Sequence, residues 1–127
     1  MADNRPDVEL RIPADGAFLS VLRTATAGLA ARLDFTLDDI EDLRIAVDEA
    51  CAVVLPQARP ESDLQCTFFL EPQTLKVQVS AHCDSPRPPH KDGFAWTVLK
   101  ALTTSLDADV DGDMLTVTLS RTSGETG

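Results

Sequence analysis

The sequence is poor in positive charge and in long apolar runs, and each shortage excludes a class of protein. Eleven lysines and arginines stand against 21 aspartates and glutamates, which gives a formal net charge of −10. Phosphate backbones are bound by clusters of positive side chains, so binding to nucleic acid is not expected. No stretch approaches the roughly 18 apolar residues of a membrane span, and no signal peptide is recognisable. We therefore expect a cytoplasmic protein that does not enter membranes.

Cysteine is also scarce, and its pattern does not indicate a disulfide framework. The three cysteines are odd in number, and two lie in apolar or alternating segments where free cysteine behaves as a small hydrophobe. Residue types that bind zinc recur in the middle of the chain, namely Cys66, His82, Cys83, Asp84 and His90. No C-x₂-C or H-x₃-H pair occurs among them, so neither a metal site nor a catalytic Cys–His pair is predicted.

Alternating and helical patterns divide the chain into strands and helices. Val8, Leu10 and Ile12 alternate with charged residues, which predicts a strand, and Asp15 can cap the helix that follows. Thr36 opens a second helix, with acidic residues in its first turn. Prolines 56 and 60 end it. The acidic run Asp38, Asp39, Glu41 and Asp42 is typical of a solvated helix face.

The second half of the chain predicts a hairpin, a helix and final strands. Segments 64–70 and 75–81 alternate on either side of Pro72-Gln73, with Lys76, Gln78 and Ser80 facing outward. A third helix begins near Gly93, with a predicted apolar stripe of Phe94, Val98, Leu102 and Leu106. Trp96 is interpreted either as an exposed interface anchor or as a core aromatic. Asp111-Gly112 marks a turn before the last strand.

These elements predict one domain over residues 1–127, with residues 8–121 ordered and with tails at 1–7 and 122–127. The order of elements favours an α+β fold. We expect a two-layer sandwich in which a mixed, mostly antiparallel sheet of about five strands carries three helices on one face.

The second helix contains the most informative segment of the chain, Leu43–Val54, which reads LRIAVDEACAVV. Glu49 and Val53 are four residues apart, so they lie one above the other on one helix face. A carboxylate and an amide at these two positions could together hold Mg²⁺, which prefers oxygen ligands. Valine offers no oxygen, so the pair cannot form here.

The segment resembles the helix L-x-x-A-V-x-E-A-x-x-N-A of anti-sigma factors of the RsbW and SpoIIAB type, a branch of the histidine-kinase/Hsp90-like (GHKL) ATPases. The element order resembles that family from Val8 to about Arg121. The resemblance implies a serine kinase that uses ATP and Mg²⁺, with Glu49 as its general base. It also implies that Val53 replaces the family's asparagine.

The remaining nucleotide-binding motifs of that family are also altered. Ala81 stands where an adenine-binding aspartate is expected, and Cys83 stands where the first glycine of D-x-G-x-G is expected. Only Gly93 remains of the second glycine motif, and the loop between the motifs is reduced to about residues 84–92 with three prolines. Leu115 stands where a threonine pair would begin. We therefore expect no bound ATP or Mg²⁺, no kinase activity, and a vestigial role for Glu49.

The resemblance further implies an anti-sigma factor that sequesters an alternative sigma factor and is released by an anti-anti-sigma protein of the STAS type. It also implies a homodimer. In the family an arginine of the first helix contacts the partner; that position is Ser20 here, with Arg23 and Thr24 nearby as expected contacts. Two alternatives are an active ATP-dependent serine/threonine kinase that phosphorylates its STAS antagonist, and a regulatory module without a sigma partner.

Overall fold

The computed structural model describes residues 5–123 as five strands and three α-helices. In chain order the elements are β1 (Val8–Pro13), α1 (Leu19–Arg32), α2 (Leu37–Val54), β2 (Asp63–Glu71), β3 (Thr74–His82), α3 (Phe94–Leu102), β4 (Ser105–Asp111) and β5 (Met114–Thr122). Short 3-10 turns precede α1 at Gly16–Phe18 and follow α2 at Leu55–Gln57. The sheet order is β1-β2-β3-β5-β4, and every pair is antiparallel. The predicted α+β two-layer sandwich is confirmed.

The core lies between the three helices and one face of the sheet. Along β3 the inward residues Leu75, Val77 and Val79 are fully buried, while the outward residues between them are partly exposed. The predicted alternation is therefore confirmed. The middle helix α2 packs against α1, α3 and the central strands β3 and β5. Its buried stripe consists of Leu43, Ala46, Val47, Ala50, Cys51 and Val54.

Local hydrogen bonds explain where several elements begin and turn. The Thr36 hydroxyl accepts from the Asp39 backbone N–H at 3.1 Å and donates to the Asp39 carboxylate at 2.9 Å, which confirms the predicted cap of α2. Asp15 caps the 3-10 turn before α1, so α1 itself begins only at Leu19. Gln73 and Gly112 have φ angles of 59° and 62°, and these left-handed residues close the two hairpins.

The predicted apolar stripe of α3 is wrong at Phe94 and misses the two most buried residues of the helix, although Leu102 and Leu106 do pack against the core. The buried residues of this helix are Trp96 and Leu99, whereas Phe94 is 81% exposed. Helical side chains tilt toward the N-terminus, so Phe94, the first residue of α3, projects past the end of the helix. Leu106 lies in β4, because α3 ends at Leu102. The interpretation of Trp96 as an exposed anchor is also wrong, since this side chain is 5% exposed.

The ordered part of the domain extends beyond the predicted limits of residues 8 and 121. Asp7 joins the sheet through its backbone N–H, and its carboxylate accepts from the Leu70 N–H at 2.7 Å. At the other end Thr122 still belongs to β5, and Ser123 is buried and donates to the Asp39 carboxylate at 2.6 Å. The rest of the predicted tails, residues 1–4 and 124–127, lies outside the described residues. No helix within residues 5–123 has the length and apolarity needed to cross a membrane.

Candidate functional site

Glu49 and Val53 lie one turn apart in the second half of α2. The Glu49 side chain is half-buried, and within residues 5–123 it makes no hydrogen bond or ion pair. Val53 is partly buried and packs against the core. The two positions therefore present one carboxylate beside an apolar side chain. A metal ion held here would find a single protein oxygen group where the asparagine of the motif would add a second.

Ala81 and Cys83, at the end of β3, are part of the core. Ala81 pairs with Leu115 of β5, and both residues are buried. The Cys83 N–H donates to the Asp113 carbonyl at 2.7 Å, and its thiol donates to the Ala81 carbonyl at 3.6 Å. Burial raises the pKa of the Cys83 thiol. Neither residue has a positive φ, so the backbone does not take the conformation for which a glycine would be needed.

Gly93 serves the turn that precedes α3. Its N–H donates to the His90 carbonyl at 2.9 Å, and a Cβ atom at this position would lie 3.1 Å from the same oxygen. The Gly93 carbonyl in turn accepts from the Thr97 hydroxyl at 2.9 Å. This turn explains the glycine without a bound phosphate.

The loop of residues 84–92 is held against the segment that follows α2. The Gln57 side-chain amide makes two hydrogen bonds with the backbone of Arg87, donating to its carbonyl at 3.0 Å and accepting from its N–H at 2.8 Å. Arg59 forms an ion pair with Asp84 at 2.9 Å. Contacts at both the start and the middle of the loop therefore fix its position. We call Gln57, Arg59, Asp84 and Arg87 the loop latch.

A second set of charged contacts extends the latch to the β4–β5 turn. Arg59 also pairs with Asp113 at 3.0 Å, and the His82 ring nitrogen Nδ1 lies 3.1 Å from the other Asp113 oxygen. The His82 hydrogen bond lowers the pKa of the Asp113 carboxyl, and the positive charge of Arg59 acts in the same direction. Arg59 therefore links the start of the loop to the β4–β5 turn through Asp84 and Asp113.

The residues at these positions do not fit ATP and Mg²⁺. Val53 offers no oxygen to a metal ion, the His90 carbonyl lies close to Gly93, and the 84–92 loop is latched to the segment that follows α2. Within residues 5–123 no group of three or more His, Cys, Asp or Glu side chains is arranged to hold a metal ion. Of the residue types that could bind zinc, Cys66 is buried in β2, whereas His82 is exposed.

The expected partner contacts lie on α1, where Ser20 and Thr24 are exposed on one face. These two residues, with Val21 and Ala25, line a depression of about 410 Å³. Phe18 and Val21 are 42% and 46% exposed, so this face combines apolar and hydroxyl side chains. We call Phe18, Ser20, Val21 and Thr24 the α1 surface.

Arg23 lines a groove between α1 and α2 and does not line the depression beside Ser20. Its Nε donates to the Asp48 carboxylate at 2.7 Å, and both side chains are roughly 40% exposed. Arg23 and Thr24 line this groove of about 480 Å³ together with Ile40 and Arg44 of α2. The structure thus brings Ser20 and Thr24 together and places Arg23 in a separate ion pair between helices. Sequence periodicity gave no sign of that pair, nor of Gln57 and Arg59, which lie in irregular segments.

Comparison with known proteins supports the resemblance to the RsbW type. Proteins named serine-protein kinase RsbW from Bacillus thuringiensis (strain Al Hakam), Bacillus cereus (strain AH820) and Bacillus anthracis (strain CDC 684 / NRRL 3495) are each 33% identical to this chain over 82 residues. That region is 63% of this chain and 51% of each relative, so the chain spans about half the length of these curated relatives. No family model matches the chain. The similarity confirms the predicted resemblance to proteins of the RsbW type.

Proposed function

We propose that this chain is an anti-sigma factor of the RsbW type that sequesters an alternative sigma factor by direct binding and is released by an anti-anti-sigma protein of the STAS type. We further propose that neither step uses ATP. One observation carries the second part: α2 retains the RsbW-like sequence and Glu49, while the chain's own residues fill or latch the surroundings that would hold a nucleotide.

The chemistry of phosphoryl transfer explains why these replacements act together. The reaction depends on metal and phosphate groups being held in place, and the protein contributes mainly positioning and charge stabilisation. Val53, Cys83 and the latched loop each remove a part of that positioning. Glu49 alone has no phosphate or metal to act beside, so we assign it no catalytic role.

The α1 surface is the proposed site for the sigma factor. Exposed apolar side chains beside hydroxyl groups have the composition of a protein interface, in which a few apolar anchors are surrounded by polar contacts. Phe18 and Val21 would supply the anchors, and Ser20 and Thr24 the polar contacts. The net charge of −10 would speed the encounter with a basic partner surface.

A pull-down from the native cell followed by mass spectrometry tests the proposal. We expect a sigma factor and a STAS protein among the captured proteins, and we expect capture of the sigma factor to be the same with and without added ATP. Val21→Glu, which places a charge on the α1 surface, should abolish that capture. Leu37→Glu is the matched control, because Leu37 is also an exposed apolar residue but begins α2 at the other end of the α1–α2 hairpin. Equal loss in both variants, or no sigma factor at all, would contradict the proposal.

An active ATP-dependent serine/threonine kinase is the second candidate. It is supported by the name of the relatives and by the retention of Glu49. Transfer of labelled phosphate from ATP to the captured STAS protein would distinguish the two candidates, with Glu49→Gln as the control for a contaminating kinase. Our proposal predicts no transfer above that control.

We also propose that the chain forms a homodimer, as the resemblance implies. The outer face of the sheet carries a polar row in which Thr67 donates to Gln78, and Gln78 donates to Thr118. This polar face and the open edges of β1 and β4 are the parts of the described sheet that a second copy could pair with or cover. Light scattering should give a mass of twice 13.7 kDa. A mass of 13.7 kDa at micromolar concentration would contradict the dimer.

A further inference from the structure

A cavity of about 320 Å³ lies between α3 and the start of β4, and the proposed function gives it no role. Lys91 lines it from the turn before α3, and Trp96 and Lys100 line it from α3 itself. Thr103 and Thr104 line it from the connection to β4. The volume is at the lower end of the range of small-molecule sites.

The charge in this cavity is opposite to that of the chain as a whole. Two of the three lysines in the sequence, Lys91 and Lys100, line it, and no carboxylate does, although the chain has 21 acidic residues. Neither lysine forms an ion pair with any of residues 5–123. The Lys91 ammonium instead lies 5.9 Å from the centre of the Trp96 ring. Two cations without a carboxylate partner beside one cavity favour an anionic ligand.

The cavity also offers hydrogen-bond donors. Trp96 is 5% exposed, and its indole N–H has no partner among residues 5–123. No fully buried side-chain nitrogen or oxygen in that part of the chain lacks a partner, so the N–H belongs to the small part of Trp96 that solvent reaches. The Thr104 hydroxyl accepts from the Thr122 N–H at 2.9 Å and retains its own proton for donation. The Thr103 hydroxyl already donates to the Leu99 carbonyl.

We propose that this cavity binds a small molecule through an oxyanion group, either a phosphate or a carboxylate. Lys91 and Lys100 supply the positive charge, and Trp96 and Thr104 supply neutral donors. Lysine binds such groups as a compact charge, and hydrogen bonds to ionised groups are the stronger class. The proposal depends neither on nucleotide binding nor on a sigma factor.

The fluorescence of Trp96, the one tryptophan in the sequence, reports directly on this cavity. Inorganic phosphate and succinate are titrated separately into the full chain, with sodium chloride at equal ionic strength as the reference. We expect a saturable change with at least one of the two anions and none with chloride. The anion that saturates identifies the oxyanion class.

Lysine variants locate the binding. Lys91→Gln and Lys100→Gln should each raise the dissociation constant about tenfold, the size expected for losing one hydrogen bond to a charged group. Lys76→Gln is the matched control, because Lys76 lies on the outer face of the sheet over Phe69, and it should leave the titration unchanged. No saturation up to about 10 mM, tenfold above a millimolar constant, would overturn the proposal. Saturation that is unchanged in either cavity variant would overturn it as well.

Discussion

Each end of α2 has an arginine held between two aspartates, and the two clusters differ in burial. At the N-terminal end Arg121 pairs with Asp39 at 2.7 Å and with Asp42 at 3.0 Å. Beyond the C-terminal end Arg59 pairs with Asp84 at 2.9 Å and with Asp113 at 3.0 Å. The Arg121 and Asp39 side chains are 20% and 17% exposed, whereas those of Arg59 and Asp84 are 43% and 81% exposed.

The two clusters have the same arrangement of charges but different roles, because their surroundings differ. Arg121 also donates to the Leu102 carbonyl at 2.6 Å, and Asp39 accepts from Ser123 and Thr36, so the first cluster joins α2, α3 and the end of β5. Water screens the second cluster, which contributes little to stability and mainly fixes the 84–92 loop. We infer that the cluster at the N-terminal end of α2 stabilises the fold, and that the cluster beyond its C-terminal end mainly holds the 84–92 loop in place.

The largest difference between the two clusters should appear when each arginine is replaced in turn. Arg121→Ala leaves the largely enclosed carboxylate of Asp39 and the more exposed one of Asp42 without their partner, and we expect it to lower the free energy of unfolding by about 2 to 4 kcal/mol. Arg59→Ala removes solvent-exposed pairs and should cost less than about 1 kcal/mol. Urea denaturation measures both. Equal losses would show that burial does not distinguish the clusters.

The pH dependence of stability should come in part from the same buried cluster. Hydrogen bonds from Ser123 and Arg121 lower the pKa of Asp39 from its ordinary 3.8 to about 2. Because the folded-state pKa is depressed, this contribution is complete above about pH 4 and is lost as the pH falls through 2. We expect about 1 to 2 kcal/mol from it. The difference in stability between the chain and its Asp39→Asn variant should shrink over that interval; a constant difference would contradict the assignment.

The loop latch should have a small effect on global stability and a clear local one. Gln57→Ala removes both contacts to the Arg87 backbone, so hydrogen exchange within the 84–92 loop should become faster while the urea midpoint changes little. Gln65→Ala, on the outer face of β2, is the matched control. Unchanged exchange in the loop would mean that other contacts hold it closed.

The ion pair between α1 and α2 should also contribute little to stability. Arg23→Glu places a carboxylate beside Asp48 and should cost about 0.5 to 1 kcal/mol, because both groups are more than a third exposed. If the partner reaches the groove that Arg23 lines, the variant should also weaken capture of the sigma factor. Combining it with Asp48→Arg should restore the thermal midpoint. Failure of the double variant to restore it would show that the pair does not stabilise the helix contact.

Local patterns predicted the regular elements because each depends on nearby residues. The Thr36 cap, the Pro72-Gln73 turn and the alternation along β3 were all predicted correctly, since each is fixed by a few neighbouring side chains. The apolar stripe of α3 was not predicted correctly, because a helix of nine residues is too short for periodicity to show that Trp96 is buried and Phe94 is exposed. The contacts of α3 with α2 and β4 decide which of its residues are buried.

The long-range contacts could not be predicted from the sequence. Arg121 lies 82 residues from Asp39, and Arg59 lies 25 residues from Asp84. No spacing rule predicts contacts between residues so far apart in different elements. The sequence therefore predicts Ser123 to lie in a tail, whereas the structure buries it against the cap of α2. The replacements at Val53 and Cys83 were visible in the sequence, but the latch that accompanies them was not.

Calorimetric titration of the purified chain with ATP and Mg²⁺ tests most directly the claim that the C-terminal end of α2 no longer serves a nucleotide. The account predicts no saturable heat, and it predicts the same for Val53→Asn, because the replaced groups act as a unit and restoring one does not restore the others. A stoichiometric complex of the unaltered chain with ATP and Mg²⁺ would contradict it.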